Sequence, residues 1–270
     1  MARLVSAHNA CFAPHVPDEP PLTLAAFKRD VRDLHVWCSS SMIAMEGNDP
    51  VGVLIGAKRL EETLVKRIGV RPDQVRRGHG RHLLASLGAK LAILGPQRIV
   101  AEIPATRPAT AAFFEACGYA REATLTDFIL DASPMAPPAS GSFVIPASVA
   151  DLAANGLLTD ALGVAWERAA ATLRGREDLL EGIALASADT IEAFLLYRRA
   201  ASGAGAGIAA LRAPDAAAFV RLIAIVAGRT GAPLTLAKVH PDELPGSWLL
   251  EAGFRAADAY HRYAARARPG

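Results

Sequence analysis

Apolar and polar positions over residues 22–130 alternate with two different periods, and the period predicts which segments form helices and which form strands. Apolar residues recur at helical spacing after Thr23, a residue type that caps helix N-termini. Short apolar runs bounded by glycine and proline predict strands, and residues 46–50 between the first two runs predict a hairpin turn. The predicted order is a helix at 22–34, strands at 37–45, 51–58 and 63–70, a helix at 80–94, a strand at 98–103, a helix at 108–116 and a strand at 124–130.

A segment rich in proline and small residues, 133–142, predicts a linker, since it holds too few large apolar side chains to build a core element. After it, the same order of elements returns. Helices are predicted at 150–173, 215–227 and 247–251, and strands at 180–186, 190–198, 207–212, 234–239 and 259–264. We therefore predict two domains, 1–132 and 143–270, joined by the linker.

The spacing of turn residues indicates that the second half repeats the first. Pro104 and Gly118 are 14 positions apart, as are Val239 and Gly253, and each of the two glycines precedes an aromatic residue. Upstream of these pairs the second half is shorter, and the missing residues fall where the first half has a loop rich in glycine and arginine. The pattern predicts an internal repeat with one loop deleted. Two unrelated α/β units with generic spacing are the alternative.

Composition and charge narrow the class of protein. Of the 270 residues, 51% are apolar and 21% charged, which favours a packed core over disorder. A net charge of +2 is too small to indicate nucleic-acid binding by bulk electrostatics. The three cysteines have no paired spacing, and no apolar run reaches the roughly 18 residues of a membrane span. We expect a cytoplasmic protein with no metal site, no nucleic-acid partner and no membrane partner.

The loop at residues 75–82 has the composition of an anion site. Gly78 and Gly80 allow the backbone to approach a ligand closely, and the helix that starts there adds unpaired N–H donors and the positive end of its dipole. Three arginines lie within the same turn and add positive charge: Arg76, Arg77 and Arg81. The loop lacks the Gly-Lys-Ser/Thr ending of a Walker A motif and the third glycine of a dinucleotide fingerprint. A solvated basic helix N-terminus is the alternative interpretation.

Two segments resemble the GNAT family of N-acetyltransferases. Residues 70–84 are similar to the family's pyrophosphate-binding signature, with Val75 at the leading position that usually holds Gln or Arg. Residues 107–119 are similar to a later family segment, with Arg107 in place of an Asn that touches CoA and Phe114 in place of a Tyr proposed as general acid. The resemblance implies an α/β fold of two GNAT-like domains in tandem, each a mixed, mostly antiparallel twisted sheet flanked by helices.

The resemblance also implies a cofactor site in the first half only, because the second half lacks the pyrophosphate signature. Acetyl-CoA, as co-substrate, would lie between the strand that ends at Val70 and the strand 98–103. The implied contacts are the backbones of Ile68, Gly69 and Val70 for the pantetheine, the loop residues Val75, Arg76, Arg77, Gly78, His79, Gly80, Arg81 and His82 for the pyrophosphate, and the positions of Arg107 and Phe114.

The implied reaction is direct attack of an amine on the thioester, which needs a route for the amine proton. Glu62, at the start of the third strand, and Glu102, on the neighbouring strand, are the candidate bases; exposed strand-surface carboxylates are the alternative. The acceptor would be a small-molecule or peptide amine, and the protein a monomer or homodimer. A non-catalytic module that binds CoA or a partner, and a protein that binds another nucleotide at the same loop, remain as rival hypotheses.

Overall fold

The computed structural model describes residues 1–131, 142–159, 163–201 and 203–268, and its contacts divide them into two compact units. The first unit is Met1–Glu122 together with the C-terminal segment from His261, and the second is Ala123–Tyr260. The linker predicted at 133–142 lies outside the described residues except for Ser142. The division at residue 132 therefore stays a prediction. The fold class is confirmed, since each unit is a mixed, mostly antiparallel sheet flanked by helices.

The first unit follows the predicted order, with one helix added at its start. Thr23 caps the predicted helix through its side-chain oxygen, which accepts a hydrogen bond from the Ala26 N–H at 3.1 Å. The strand predicted from residue 37 starts later, because Ser41 donates to the Trp37 carbonyl at 2.8 Å and residues 38–40 form a 3₁₀ turn. The elements are α1 (Ala2–Cys11), α2 (Leu24–Asp33), β1 (Met42–Glu46), β2 (Asp49–Lys58), β3 (Glu62–Val70), α3 (His79–Leu94), β4 (Arg98–Pro104), α4 (Pro108–Ala116) and the start of β5 (Ala120–Leu130).

Strands β1, β2 and β3 pair antiparallel, and β3 then pairs parallel with β4. The parallel pairing covers only Glu62–Leu64 against 98–100, although β3 continues to Val70 and β4 to Pro104. The two strands therefore separate and leave a groove between their C-terminal ends. Helix α3 packs on one face of this sheet, where its leucines contact Ile99, Ala101 and Ile103.

The second unit has the same sequence of pairings. The elements are the rest of β5, β6 (Phe143–Pro146), α5 (Val149–Ala154), α6 (Ala170–Gly175), β7 (Glu181–Ala186), β8 (Ile191–Arg199), β9 (Ala206–Arg212), α7 (Ala216–Thr230), β10 (Leu234–Val239), α8 (Gly246–Glu251) and the start of β11 (Arg255–Arg266). Strands β7, β8 and β9 pair antiparallel, and β9 pairs parallel with β10 over Ala206–Ile208 and Leu234–Leu236. The last part of β11 belongs to the first unit.

Two helices of the second unit differ from prediction. The single helix predicted at 150–173 is wrong: α5 ends before Gly156, which has a left-handed φ of 68°, and a separate α6 follows a 3₁₀ turn at Trp166–Arg168. Helix α7 continues past Gly228 and ends at Gly231, whose φ is 74°. No helix among the described residues is both long and apolar enough to cross a membrane.

Candidate functional site

The groove between β3 and β4 is lined on one side by the free edge of β3. Arg71 donates its N–H to the carbonyl of Val51 on β2 at 3.0 Å. In an antiparallel pair every second residue bonds to the same neighbouring strand, so Gly69 also directs its N–H and C=O groups toward β2. Ile68 and Val70 turn their N–H and C=O groups to the groove. Of the three residues expected to bind the pantetheine through their backbones, the structure brings these two to the groove and directs Gly69 away from it.

Gly69 has a different reason to be glycine. A Cβ atom at this position would lie 2.5 Å from the Cys11 carbonyl oxygen and 2.7 Å from the Phe12 Cα. The C-terminal end of α1 therefore lies against the β3 backbone, and only glycine permits that approach.

Two side chains lie at the end of the groove, those of His15 and Arg107. The sequence interpretation missed His15. His15 donates from Nε2 to the Val70 carbonyl at 2.7 Å. Arg107, just before α4, donates from Nη1 to the His15 carbonyl at 3.4 Å. The Val70 carbonyl therefore already accepts one hydrogen bond, and a ligand that bonds to it must use the second lone pair or replace the His15 ring.

The 75–82 loop forms a helix N-terminus open to solvent. Gly78 has a φ of 89° and precedes the first residue of α3, His79. The His82 N–H is the first to bond back, to the Gly78 carbonyl at 3.0 Å, so the N–H groups of residues 79–81 lie ahead of the helical ladder. The side chains of Arg76, Arg77, Arg81 and His82 are exposed and that of His79 is half-buried. Free N–H donors and positive charges at a helix N-terminus are the features that favour an anion.

Packing against α4 explains why position 80 of the loop is a glycine. A Cβ on Gly80 would lie 3.1 Å and 3.2 Å from the Phe113 ring, so glycine allows α3 and α4 to pack closely.

Val75, at the leading signature position, is an exposed side chain. Gln74, one residue earlier, is buried, and its side-chain carbonyl Oε1 has no hydrogen-bond partner among the described residues. Gln74 is therefore a polar candidate for the cofactor-binding loop, and the sequence interpretation missed it.

Phe114 lies in the core and not at the groove surface. It is 2% exposed and meets the Tyr119 ring edge-on, with the centroids 5.0 Å apart. Burial raises the pKa of the Tyr119 phenol and, to a smaller extent, that of the Cys117 thiol. The phenol and the thiol therefore stay protonated at neutral pH, and neither has the environment of a reactive group.

The two candidate bases lie on the sheet face opposite α3. Residues Ile99, Ala101 and Ile103 face α3, so alternation places Arg98 and Glu102 on the other face. The Arg98 Nε bonds to Glu62 at 3.2 Å, which puts Glu62 on that face too.

A buried arginine joins the two carboxylates. Arg262 Nη2 lies 3.1 Å from both Glu62 oxygens, and its Nη1 lies 3.7 Å from Glu102 Oε1. The side chains of Arg262 and Glu102 are 4% and 3% exposed, and that of Glu62 is 20% exposed. Glu62 is therefore the one of the two that water can reach.

Arg262 comes from β11, in the segment that completes the first unit. Tyr263 beside it packs into the core of that unit and donates its hydroxyl to Glu115 at 2.8 Å. Sequence interpretation missed Arg262; its position between Tyr260 and Tyr263 on a mainly apolar strand indicates at most a buried charge and not the carboxylates with which it pairs. Among the described residues, no group of three His, Cys, Asp or Glu side chains is placed to hold a metal ion.

Comparisons with known proteins agree with this architecture. A sequence profile described as the acetyltransferase (GNAT) family matches residues 1–119, and no curated protein sequence matches significantly. A tandem GNAT protein from the clavulanic acid biosynthesis pathway, solved without AcCoA, is 18% identical over 100% of this chain and 96% of its own, with a TM-score of 0.68. A GCN5-related N-acetyltransferase from Sphaerobacter thermophilus is 16% identical over 100% of this chain and 92% of its own, with a TM-score of 0.63. Both likenesses show that the shared fold runs the length of this chain.

Proposed function

Because its first half belongs to the GNAT acetyltransferase family, we propose that this chain transfers an acetyl group from acetyl-CoA to an amine of a small molecule or peptide. The observation that carries the proposal is the open N-terminus of α3 beside the groove between β3 and β4. An anion site and a cleft with free backbone donors and acceptors are the two features that a pyrophosphate followed by a pantetheine arm requires.

In this proposal the N–H groups of residues 79–81 and the exposed arginines bind the pyrophosphate. The pantetheine arm follows the free edge of β3, where Ile68 and Val70 offer N–H and C=O groups. The arm would share the Val70 carbonyl with the His15 ring or replace that ring. The thioester then lies toward the point where β3 and β4 come together, near Leu64.

The chemical step is direct transfer. The amine nitrogen forms a bond to the thioester carbon, the carbon–sulfur bond breaks, and coenzyme A leaves as a thiolate. Glu62 is placed to take the amine proton, directly or through water, because it is the more exposed carboxylate of the pair. Arg262 orients it. Water protonates the thiolate, since Phe114 has no proton to give and Tyr119 is buried.

The binding step is tested by Gly80→Glu, which places a negative charge within the anion site. Gly80→Ala is the matched control, because it brings the same Cβ against Phe113 without the charge. We expect calorimetry to show acetyl-CoA affinity reduced by at least about a hundredfold in Gly80→Glu and by less than about tenfold in Gly80→Ala. Equal losses in the two variants would mean that packing against Phe113, and not charge, controls the affinity.

A second candidate function is a non-catalytic module that binds CoA. The observation in its favour is that both carboxylates are ion-paired with Arg262. The two functions separate in a thiol-release assay with a panel of amines. Release of coenzyme A that depends on an amine supports the transferase, and tight acetyl-CoA binding with no release for any amine supports the module.

A further inference from the structure

The second unit contains a cavity of about 310 Å³ at the position where its own parallel strands separate. Strands β9 and β10 pair only as far as Ile208 and Leu236, and the cavity lies between the end of β9 and the segment that follows β10. It thus corresponds to the cofactor groove of the first unit.

A phosphate group does not fit at the neighbouring helix. The N-terminus of α7 is capped by Asp215, whose carboxylate accepts a hydrogen bond from the Ala218 N–H at 2.8 Å. A negative side chain therefore occupies the place where the first unit presents free N–H groups, and it repels an anion there. The cavity takes a ligand other than acetyl-CoA.

The wall of the cavity is mainly apolar. Helices α6 and α8 contribute Leu173 and Trp248, β8 contributes Phe194, and the loop after α5 contributes Leu157 and Leu158. Its volume is at the low end of the range for small-molecule sites, so the ligand is compact with an aliphatic or aromatic body.

The charged and hydroxyl groups of the cavity lining come from four residues: Thr159, Arg168, Arg212 and Glu243. Arg168 forms a two-pronged ion pair with Glu243, and its Nη1 also bonds to the Ala237 carbonyl at 3.3 Å. These contacts use both carboxylate oxygens of Glu243. The Nε of Arg168 is buried and has no partner among the described residues, and the exposed side chain of Arg212 also lines the cavity. Because the Arg168 Nε is fully buried, the charged donor left for a ligand is Arg212, and Thr159 adds a hydroxyl to the lining.

We propose that the second unit binds a compact monocarboxylate, with its apolar body against the Leu173, Phe194 and Trp248 side chains and its carboxylate toward Arg212. Arg168 is already matched by Glu243, whereas Arg212 has no carboxylate partner among the described residues, and such an arginine pairs well with a carboxylate from a ligand. The inference concerns a different site from the acetyl-CoA groove.

The test uses the full-length protein with octanoate and 3-phenylpropanoate as probes, and octan-1-ol as the uncharged counterpart of octanoate. We expect calorimetry and saturation-transfer NMR to show one carboxylate bound per chain, with octan-1-ol at least about tenfold weaker. Arg212→Met should weaken octanoate by about tenfold and leave octan-1-ol unchanged. Arg198→Met, at an exposed arginine of β8 outside the cavity lining, is the matched control and should change neither.

Two further variants locate the site. Ala213→Trp places an indole in the cavity and should abolish octanoate binding, while Gly80→Glu in the first unit should leave it intact. Circular dichroism checks that each variant is folded. The proposal is overturned if neither carboxylate binds, if octanoate and octan-1-ol bind equally, if Arg198→Met matches Arg212→Met, or if Gly80→Glu removes the binding.

Discussion

Replacing Arg262 by Met should destabilise the first unit strongly, because it removes the cation between Glu62 and Glu102. The arginine and Glu102 are almost fully buried, and removal of one partner of a buried ion pair costs about 3–5 kcal/mol. Arg98 still bonds to Glu62 at 3.2 Å, so we expect the lower end, about 3 kcal/mol. The free energy of unfolding, from urea titrations followed by far-UV circular dichroism, is the quantity to measure.

Arg266→Met is the matched control, since Arg266 lies on the same strand but is exposed, and within the described part of the chain its side chain bonds to that of Gln97 alone. It should cost no more than about 0.5 kcal/mol. A double-mutant cycle of Arg262→Met with Glu62→Gln should give a coupling energy of about 1–3 kcal/mol. A coupling energy below about 0.5 kcal/mol, or equal costs for Arg262→Met and Arg266→Met, would refute the ion-pair argument.

Three further outcomes follow from the two units. Calorimetry should give one acetyl-CoA per chain, because Asp215 caps the only helix of the second unit that could receive its pyrophosphate among the described residues; a stoichiometry of two contradicts this. Tyr119→Phe should leave turnover within about threefold of the parent, since the buried phenol is no proton donor, whereas a loss of about 100-fold or more would make it the general acid. Arg98 lowers the pKa of Glu122, so this pair stabilises the protein at neutral pH and the contribution is lost as the pH falls through the lowered pKa. Both side chains are more than a third exposed, so Glu122→Gln should cost only about 0.5 kcal/mol at pH 7 and nothing at low pH; an equal cost at both pH values would contradict the linkage.

Local patterns were sufficient for much of the first unit. The turn signals before Pro108 and after Ala116 predicted the bounds of α4, and the cap at Thr23 predicted the start of α2. The helix N-terminus within residues 75–82 was also predictable, because its turn and its first helical residues are consecutive in sequence; its role in anion binding stays a prediction. Helix α1 was missed, since the polar residues within Ala2–Cys11 interrupt its apolar spacing.

Tertiary contacts decided what local patterns left open. Phe114 matches a family position by spacing, yet its ring packs against Tyr119, because the orientation of α4 is set by the elements around it. The partner of Glu62 is 200 positions away in sequence, and no local period indicates which strand lies beside β4. The candidate bases could therefore be named from the sequence, but the cation that joins them could not.

The placement of the C-terminal segment bears on how the protein is made. A ribosome synthesises residues 1–122 first, and at about 5–20 residues per second the intervening Ala123–Tyr260 takes roughly 7 to 28 seconds. Throughout that interval the nascent first unit has Glu62 and Glu102 without Arg262. Its sheet is completed only after the second unit has been translated, so the first unit reaches its final structure last although its synthesis begins first.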